Sequence, residues 1–125
     1  MRFHKIVINK ENLKFANKKI IENDISYDDK GVYIILNKDL EVIYVGRTAN
    51  FRQRMNCHVS PRITNVADKL IRPMRYDEFS SVIPRGEAQY FGFIAEEDSE
   101  KRTYLEYLLV TVLKPKYNYD EKYSR

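Results

Sequence analysis

Three features of the sequence predict an α+β fold, a small α/β arrangement in which a three-stranded antiparallel sheet is flanked by helices. Two runs rich in Val, Ile, Leu and Tyr, Gly31–Asn37 and Glu41–Gly46, stand on either side of a polar tip. That is the pattern of a hairpin. A third run, "EAQYFGFIAEE" (Glu87–Glu97), alternates well enough for another strand. Capped helical patterns follow the second run and the third.

In chain order, "RFHKIVI" (Arg2–Ile8) reads as a short strand and "ENLKFANKKIIEN" (Glu11–Asn23) as an amphipathic helix. Leu13, Ala16, Ile20 and Ile21 lie near helical spacing in that helix. The polar stretch Asp24–Lys30 is a connector. After the hairpin, Asn50 is placed to cap a helix from Phe51 to about Val59. Ser60–Gly86 holds Pro61, Pro73 and Pro84 and is expected to be irregular, with a helical turn near Val66–Ile71 or Asp77–Val82. The last helix opens on Asp98 or Ser99 and runs until Pro115 stops it. Its expected core stripe is Leu105, Leu108, Leu109 and Val112.

The totals bound the answer. With 125 residues, 43% of them hydrophobic and 32% charged, the chain suits one compact domain and not a disordered segment. The expected organisation is an extension over 1–30, a core over 31–118 and a tail over 119–125. No apolar run approaches bilayer length and no secretory h-region opens the chain, so a cytoplasmic protein with no membrane partner is expected. The single cysteine, Cys57, excludes an internal disulfide and a multi-cysteine zinc site.

Net charge is +4, but its distribution is the sharper signal. Residues 31–75 carry eight basic and three acidic side chains, while residues 76–106 carry three basic and eight acidic ones. From Arg47 to Arg75 the basic residues Arg47, Arg52, Arg54, Arg62, Lys69, Arg72 and Arg75 face only Asp68. A one-signed cluster of this kind collects phosphate backbone.

Within the hairpin, a two- or four-residue loop would set Tyr33 directly opposite Tyr44. Side chains alternate faces along a strand, so Gly31, Tyr33, Tyr44 and Gly46 would then share a face. Two phenols flanked by two glycines leave polar tips with open space around them. Arg54 and His58, four residues apart, are neighbours on one face of the following helix. Glu106 is the only charged residue between Tyr104 and Leu113, where a carboxylate is expensive unless paired or bound to metal.

Together these residues resemble the GIY-YIG nuclease superfamily. Gly31-Val32-Tyr33 stands for its first triplet and Tyr44-Val45-Gly46 for its second, each with Val in place of Ile. Five further positions follow in order: Arg47, Arg54, His58, Glu106 and Asn118. The stretch between His58 and the third strand is longer than usual for the family.

The resemblance implies a metal-dependent endonuclease that hydrolyses phosphodiester bonds in nucleic acid, DNA being favoured over RNA. Its implied catalytic set is Tyr33, Tyr44, Arg54, His58 and Glu106, with Tyr33 as general base and Glu106 holding one Mg²⁺ or Mn²⁺. Arg47, Arg52 and Asn118 are the implied substrate-binding residues, and Asn118 has an orienting role as an alternative. A free phenol has a pKa of roughly 10, so Arg54 and Arg47 are expected to supply a field that lowers it. His58 would hydrogen-bond a tyrosine or relay its proton. The alternatives are a catalytically silent nucleic-acid-binding module of the same fold and, behind it, a protein-interaction domain. With no attached specificity domain, the chain reads as a stand-alone or partner-directed enzyme, and either a monomer or a homodimer fits.

Overall fold

The structure, a computed structural model, describes residues 2–17, 30–59, 81–84 and 86–119. Its centre is a strand that the sequence makes apolar on both sides, β2 (Gly31–Leu36, GVYIIL), buried at every position. A strand buried on both faces needs a neighbour along each edge and a layer on each face, and it has all four. β3 (Val42–Thr48) pairs with one edge and β4 (Tyr90–Ala95) with the other, both antiparallel. A short strand β1 (His4–Lys5) then adds to β4, giving the order β1-β4-β2-β3. The expected three-stranded sheet therefore has a fourth strand, supplied by the N-terminal segment.

On one face lie Tyr33, Ile35, Tyr44 and Phe91, covered by Phe51 and Met55 of helix α1 (Phe51–Val59) and by Ile6 and Phe15. On the other lie Val32, Ile34, Leu36 and Val45, covered by Leu105, Leu109 and Val110 of helix α2 (Ser99–Leu113). Both helices start as their capping residues dictate. Asn50 Oδ1 accepts from the Gln53 N–H at 3.0 Å, and Asp98 Oδ1 accepts from the Lys101 N–H at 2.9 Å. Lys114 closes α2 in the left-handed conformation, just ahead of Pro115. No helix of the described residues is long and apolar enough to cross a membrane.

Three expectations change. The predicted helix over 11–23 is absent from its described part. Asn9 instead organises a turn, its Oδ1 accepting from the Glu11 and Asn12 N–H groups, and an isolated bridge joins Ile8 to Phe15. Phe15 plugs the core edge-on to the rings of Phe51 and Phe91, while Leu13 of the supposed apolar stripe is exposed. The rest of that helix, the connector up to residue 29 and the turn near Val66–Ile71 lie outside the described residues, as does most of Asp77–Val82. On α2, Leu108 and Val112 are exposed and Val110 takes their place in the core, so the helix is rotated from the expected phase.

The third change is in the hairpin. Leu36 faces Val42 across a loop of Asn37–Glu41, and the register then shifts, so that Ile35 faces Tyr44 and Tyr33 faces Gly46. Tyr33 and Tyr44 are therefore not directly opposite. Asn37 explains the longer loop: its Oδ1 accepts from the N–H groups of both Asp39 and Glu41 at 3.0 Å. The bulge places one extra residue, Ile43, on β3 and restores the phase. Both tyrosines still share the α1 face.

Candidate active site

The two-residue offset between them decides how the two phenols sit. Tyr33 lies across the strand over Gly46, and its ring is 6.1 Å from those of Tyr44 and Phe51 and 5.5 Å from that of His58. A Cβ on Gly46 would fall on the Tyr33 phenol, 2.5 Å from Cζ. Only glycine admits the ring there. Tyr33 and Tyr44 are both buried.

Helix α1 supplies the polar partners. The cap at Asn50 sets the helix phase so that Phe51, Met55 and His58 point inward, with Arg54 half-buried one turn before the histidine. His58 Nε2 lies 2.8 Å from Tyr33 Oη, and its Nδ1 lies 2.5 Å from Ser81 Oγ. All three side chains are buried, at 5%, 1% and 4% exposure for His58, Tyr33 and Ser81. The guanidinium of Arg54 acts electrostatically on the Tyr33 phenol. Its Nη1 is nonetheless buried with no hydrogen-bond partner among the described residues. A buried donor left unmade is costly, and an anionic oxygen of a ligand is the group that would complete it.

Electrostatics correct one expectation. Burial raises the Tyr33 phenol well above its ordinary range, Tyr44 and Glu106 add to the rise, and Arg54 opposes it without prevailing. Burial works against the charge of Arg54, but Tyr33, Cys57 and Tyr44 together outweigh it and its pKa lies above the usual value. Arg47 plays no part in lowering the phenol. It points to the other face, where its Nη1 donates to Glu106 Oε1 at 2.6 Å. The protein alone therefore keeps Tyr33 protonated.

Glu106 stands on α2 as the sequence places it, and it is the one buried residue of that helix. One carboxylate oxygen is held by Arg47, and Oε2 has no hydrogen-bond partner among the described residues. A single hard carboxylate with an open oxygen suits Mg²⁺ or Mn²⁺, which keep most of their shell as water and phosphate oxygens. Glu106 also acts electrostatically on Tyr33, adding to the rise of its pKa. Arg52 is exposed on α1 and is not drawn into the cluster of buried rings.

Asn118 is turned onto the protein's own backbone. It sits in a 3-10 turn (Lys116–Tyr119) and is fully buried, at 0% exposure. Its Oδ1 accepts from the Val45 N–H at 2.7 Å, and its Nδ2 donates to the Val45 C=O at 2.8 Å. The amide thus pairs with edge strand β3 as another strand would, between Tyr44 and Gly46. One bond from each end of the amide goes to backbone, a geometry that fits the orienting alternative. Asn118→Ala is expected to leave two buried backbone groups unpaired and to lower stability by about 2–3 kcal/mol. Asn118→Asp, which sets a second acceptor oxygen against the Val45 C=O in a fully buried place, is expected to cost at least as much. Denaturant titration checks both.

Residues 29–118 match the GIY-YIG catalytic domain. The chain belongs to that family. It is a GIY-YIG-type endonuclease domain, with the triplets at Gly31–Tyr33 and Tyr44–Gly46. Among curated relatives, UvrABC system protein C of Mycoplasma capricolum is 30% identical over 95 residues, which cover 76% of this chain and 14% of that protein. The chain therefore spans about one seventh of this relative's length. Among solved structures, the GIY-YIG N-terminal endonuclease domain of UvrC from Thermotoga maritima, bound to magnesium as its catalytic divalent cation, superposes with a TM-score of 0.50. It is 23% identical, and the match covers 75% of this chain and 88% of that one. That likeness speaks for the shared fold.

In GIY-YIG terms, the second triplet's glycine makes room for the first triplet's tyrosine, and the first triplet's glycine makes room for backbone. A Cβ on Gly31 would run into the Ile94 carbonyl and come within 2.7 Å of Phe93 Cζ. Ser81 was not foreseen. It lies in the proline-bearing insert, and no spacing rule ties it to His58, 23 residues away.

Proposed function

We propose that this GIY-YIG domain hydrolyses phosphodiester bonds in DNA with one divalent metal ion, Tyr33 and His58 managing the proton of the attacking water. The observation that carries this reading is the buried, unpartnered Nη1 of Arg54 beside the Tyr33–His58 pair. It is a charged donor that a phosphate oxygen would complete.

A water attacking phosphorus must lose a proton as the new P–O bond forms and the bond to the leaving oxygen breaks. Tyr33 is held neutral by its surroundings, so it accepts that proton only as its own passes to His58 Nε2, 2.8 Å away. The pair works as one base. Arg54 binds the phosphate and holds its charge through the change. Tyr44, whose ring lies 5.1 Å from that of His58, walls the other side and keeps the imidazole in place. Glu106 would hold the metal ion, which when bound supplies positive charge to the phosphate and its leaving oxygen. Arg47 orients the Glu106 carboxylate, and Arg52, exposed on α1, adds to the attraction of the DNA backbone.

The test is cleavage of labelled single-stranded, duplex and branched DNA and RNA with Mg²⁺, with Mn²⁺ and with EDTA, beside a Tyr33→Phe variant. Cutting of DNA is expected with either metal and none with EDTA. Tyr33→Phe is expected to lower the rate by about 10²-fold or more. Salt-sensitive binding by the wild type with no cutting on any substrate would replace this reading with a silent binding module.

A further inference from the structure

We propose that Ser81 is a positioning residue that fixes the tautomer of His58, its hydroxyl oxygen accepting the Nδ1–H so that Nε2 stays free to take the Tyr33 proton. The proposal rests on the endonuclease reading above and extends it to a residue outside the family's motif positions.

A neutral imidazole has one N–H and one lone pair, so whatever one ring nitrogen does decides what the other can do. At Nε2 the neighbour is the Tyr33 hydroxyl, 2.8 Å away. The Arg54 cation acts on that phenol, and a positive charge favours the orientation in which the oxygen lone pairs face it and the O–H points away. The phenol O–H is left to donate, and Nε2 is the acceptor within reach. Nδ1 then carries the proton. It faces Ser81 Oγ at 2.5 Å, in a setting where His58 and Ser81 are 5% and 4% exposed.

Ser81 Oγ is held in place independently of the histidine, because it also accepts from the Ile83 N–H at 3.1 Å. Two donors fill its two lone pairs. Ile83 is itself buried in the core that contains Tyr33 and Phe51, so the short segment carrying Ser81 is anchored two residues beyond the contact. A serine here does the orienting half of what a carboxylate does behind a catalytic histidine. It selects the tautomer but adds no negative charge to favour the imidazolium. The proton that His58 takes from Tyr33 is therefore held only briefly and is returned readily.

The experiment is a long-range nitrogen–proton correlation spectrum of the imidazole rings, with cleavage assays alongside. The chain has two histidines, His4 and His58, and a His58→Gln variant assigns the signals. The wild type is expected to show His58 as the Nδ1–H tautomer. Ser81→Ala is expected to lose that preference and to lower kcat about 10- to 100-fold with little change in KM, as loss of a group that orients a catalytic ligand does. Ser81→Thr keeps the hydroxyl and is expected to recover the tautomer. In the His58→Gln background, Ser81→Ala is expected to cause no further loss of rate.

An Nε2–H tautomer in the wild type would overturn the proposal. So would an unchanged tautomer in Ser81→Ala, or an equal loss of rate with and without His58. The spectrum needs no turnover. A wild type that cuts nothing would thus sink the endonuclease reading while leaving the tautomer assignment to stand or fall on its own.

Discussion

Glu106→Gln is expected to abolish metal-dependent cleavage, with a loss of about 10³-fold or more, and to leave the fold intact. The carboxylate is the one buried acid of α2 and stands among Leu105, Leu109 and Val110. Glutamine keeps its size and its hydrogen-bonding reach but carries no charge, so it is a poor ligand for a hard divalent ion. A metal ion contributes several kcal/mol to the stabilisation of charge in the transition state, and each 1.36 kcal/mol or so is tenfold in rate. The stability side is small. Arg47, the partner, is 49% exposed in its side chain, so water replaces the lost carboxylate and the cost is within about 1 kcal/mol. Cleavage rate in Mg²⁺ and thermal unfolding, measured on the same preparation, separate the two effects. Near wild-type rates in the variant would show that Glu106 is not the metal ligand.

Gly46→Ala is expected to damage both the site and the fold. The added Cβ would meet the Tyr33 phenol, 2.5 Å from Cζ. Tyr33 has no easy retreat, since its ring is boxed in by Tyr44, Phe51 and His58. Overpacking of a fixed core costs about 1–3 kcal/mol. The phenol must also leave the 2.8 Å hydrogen bond to His58, and a displacement of about 1 Å in a catalytic group lowers the rate about 10²-fold. Gly31→Ala makes the control. Its Cβ meets the Ile94 carbonyl and the Phe93 ring rather than a site residue, so it is expected to weaken the pairing of β2 with β4 and to cost stability first. Unfolding midpoints together with cleavage rates distinguish the two glycines. A Gly46→Ala protein as stable and as active as the wild type would mean that Tyr33 can occupy another rotamer without loss.

The hairpin shows how far local reasoning reaches. Counting positions placed both tyrosines on one face, and they are on one face, but the pairing expected between them does not occur. A loop lengthened by the Asn37 side chain shifts the phase, and the Ile43 bulge shifts it back. Burial of both sheet faces explains why the parity survived. A lasting one-residue slip would send Tyr44 to the α2 face and Val45 to the α1 face, exchanging phenol and aliphatic surface on each. Helix α2 shows the opposite case. Leu108 and Val112 fit a helical stripe as well as Leu105 and Leu109 do, but the helix turns Glu106 toward Arg47 and brings Val110 in instead. Periodicity names a stripe and does not say which of two neighbouring stripes meets the sheet.

The amino-acid sequence by itself determined the strands and helices of the core, their caps, and the order of the residues that carry the chemistry. Those are matters of spacing, propensity and capping, which act within a few residues of one another. Only the tertiary structure decided what each polar group holds. Asn118 is spent on Val45, 73 positions away, Arg47 on Glu106, 59 positions away, and His58 is shared between Tyr33 and Ser81. No local period encodes such pairs, because each is selected by burial. Once the sheet and helices close over them, most buried donors and acceptors must find a partner within about 3 Å, and the fold supplies the candidates.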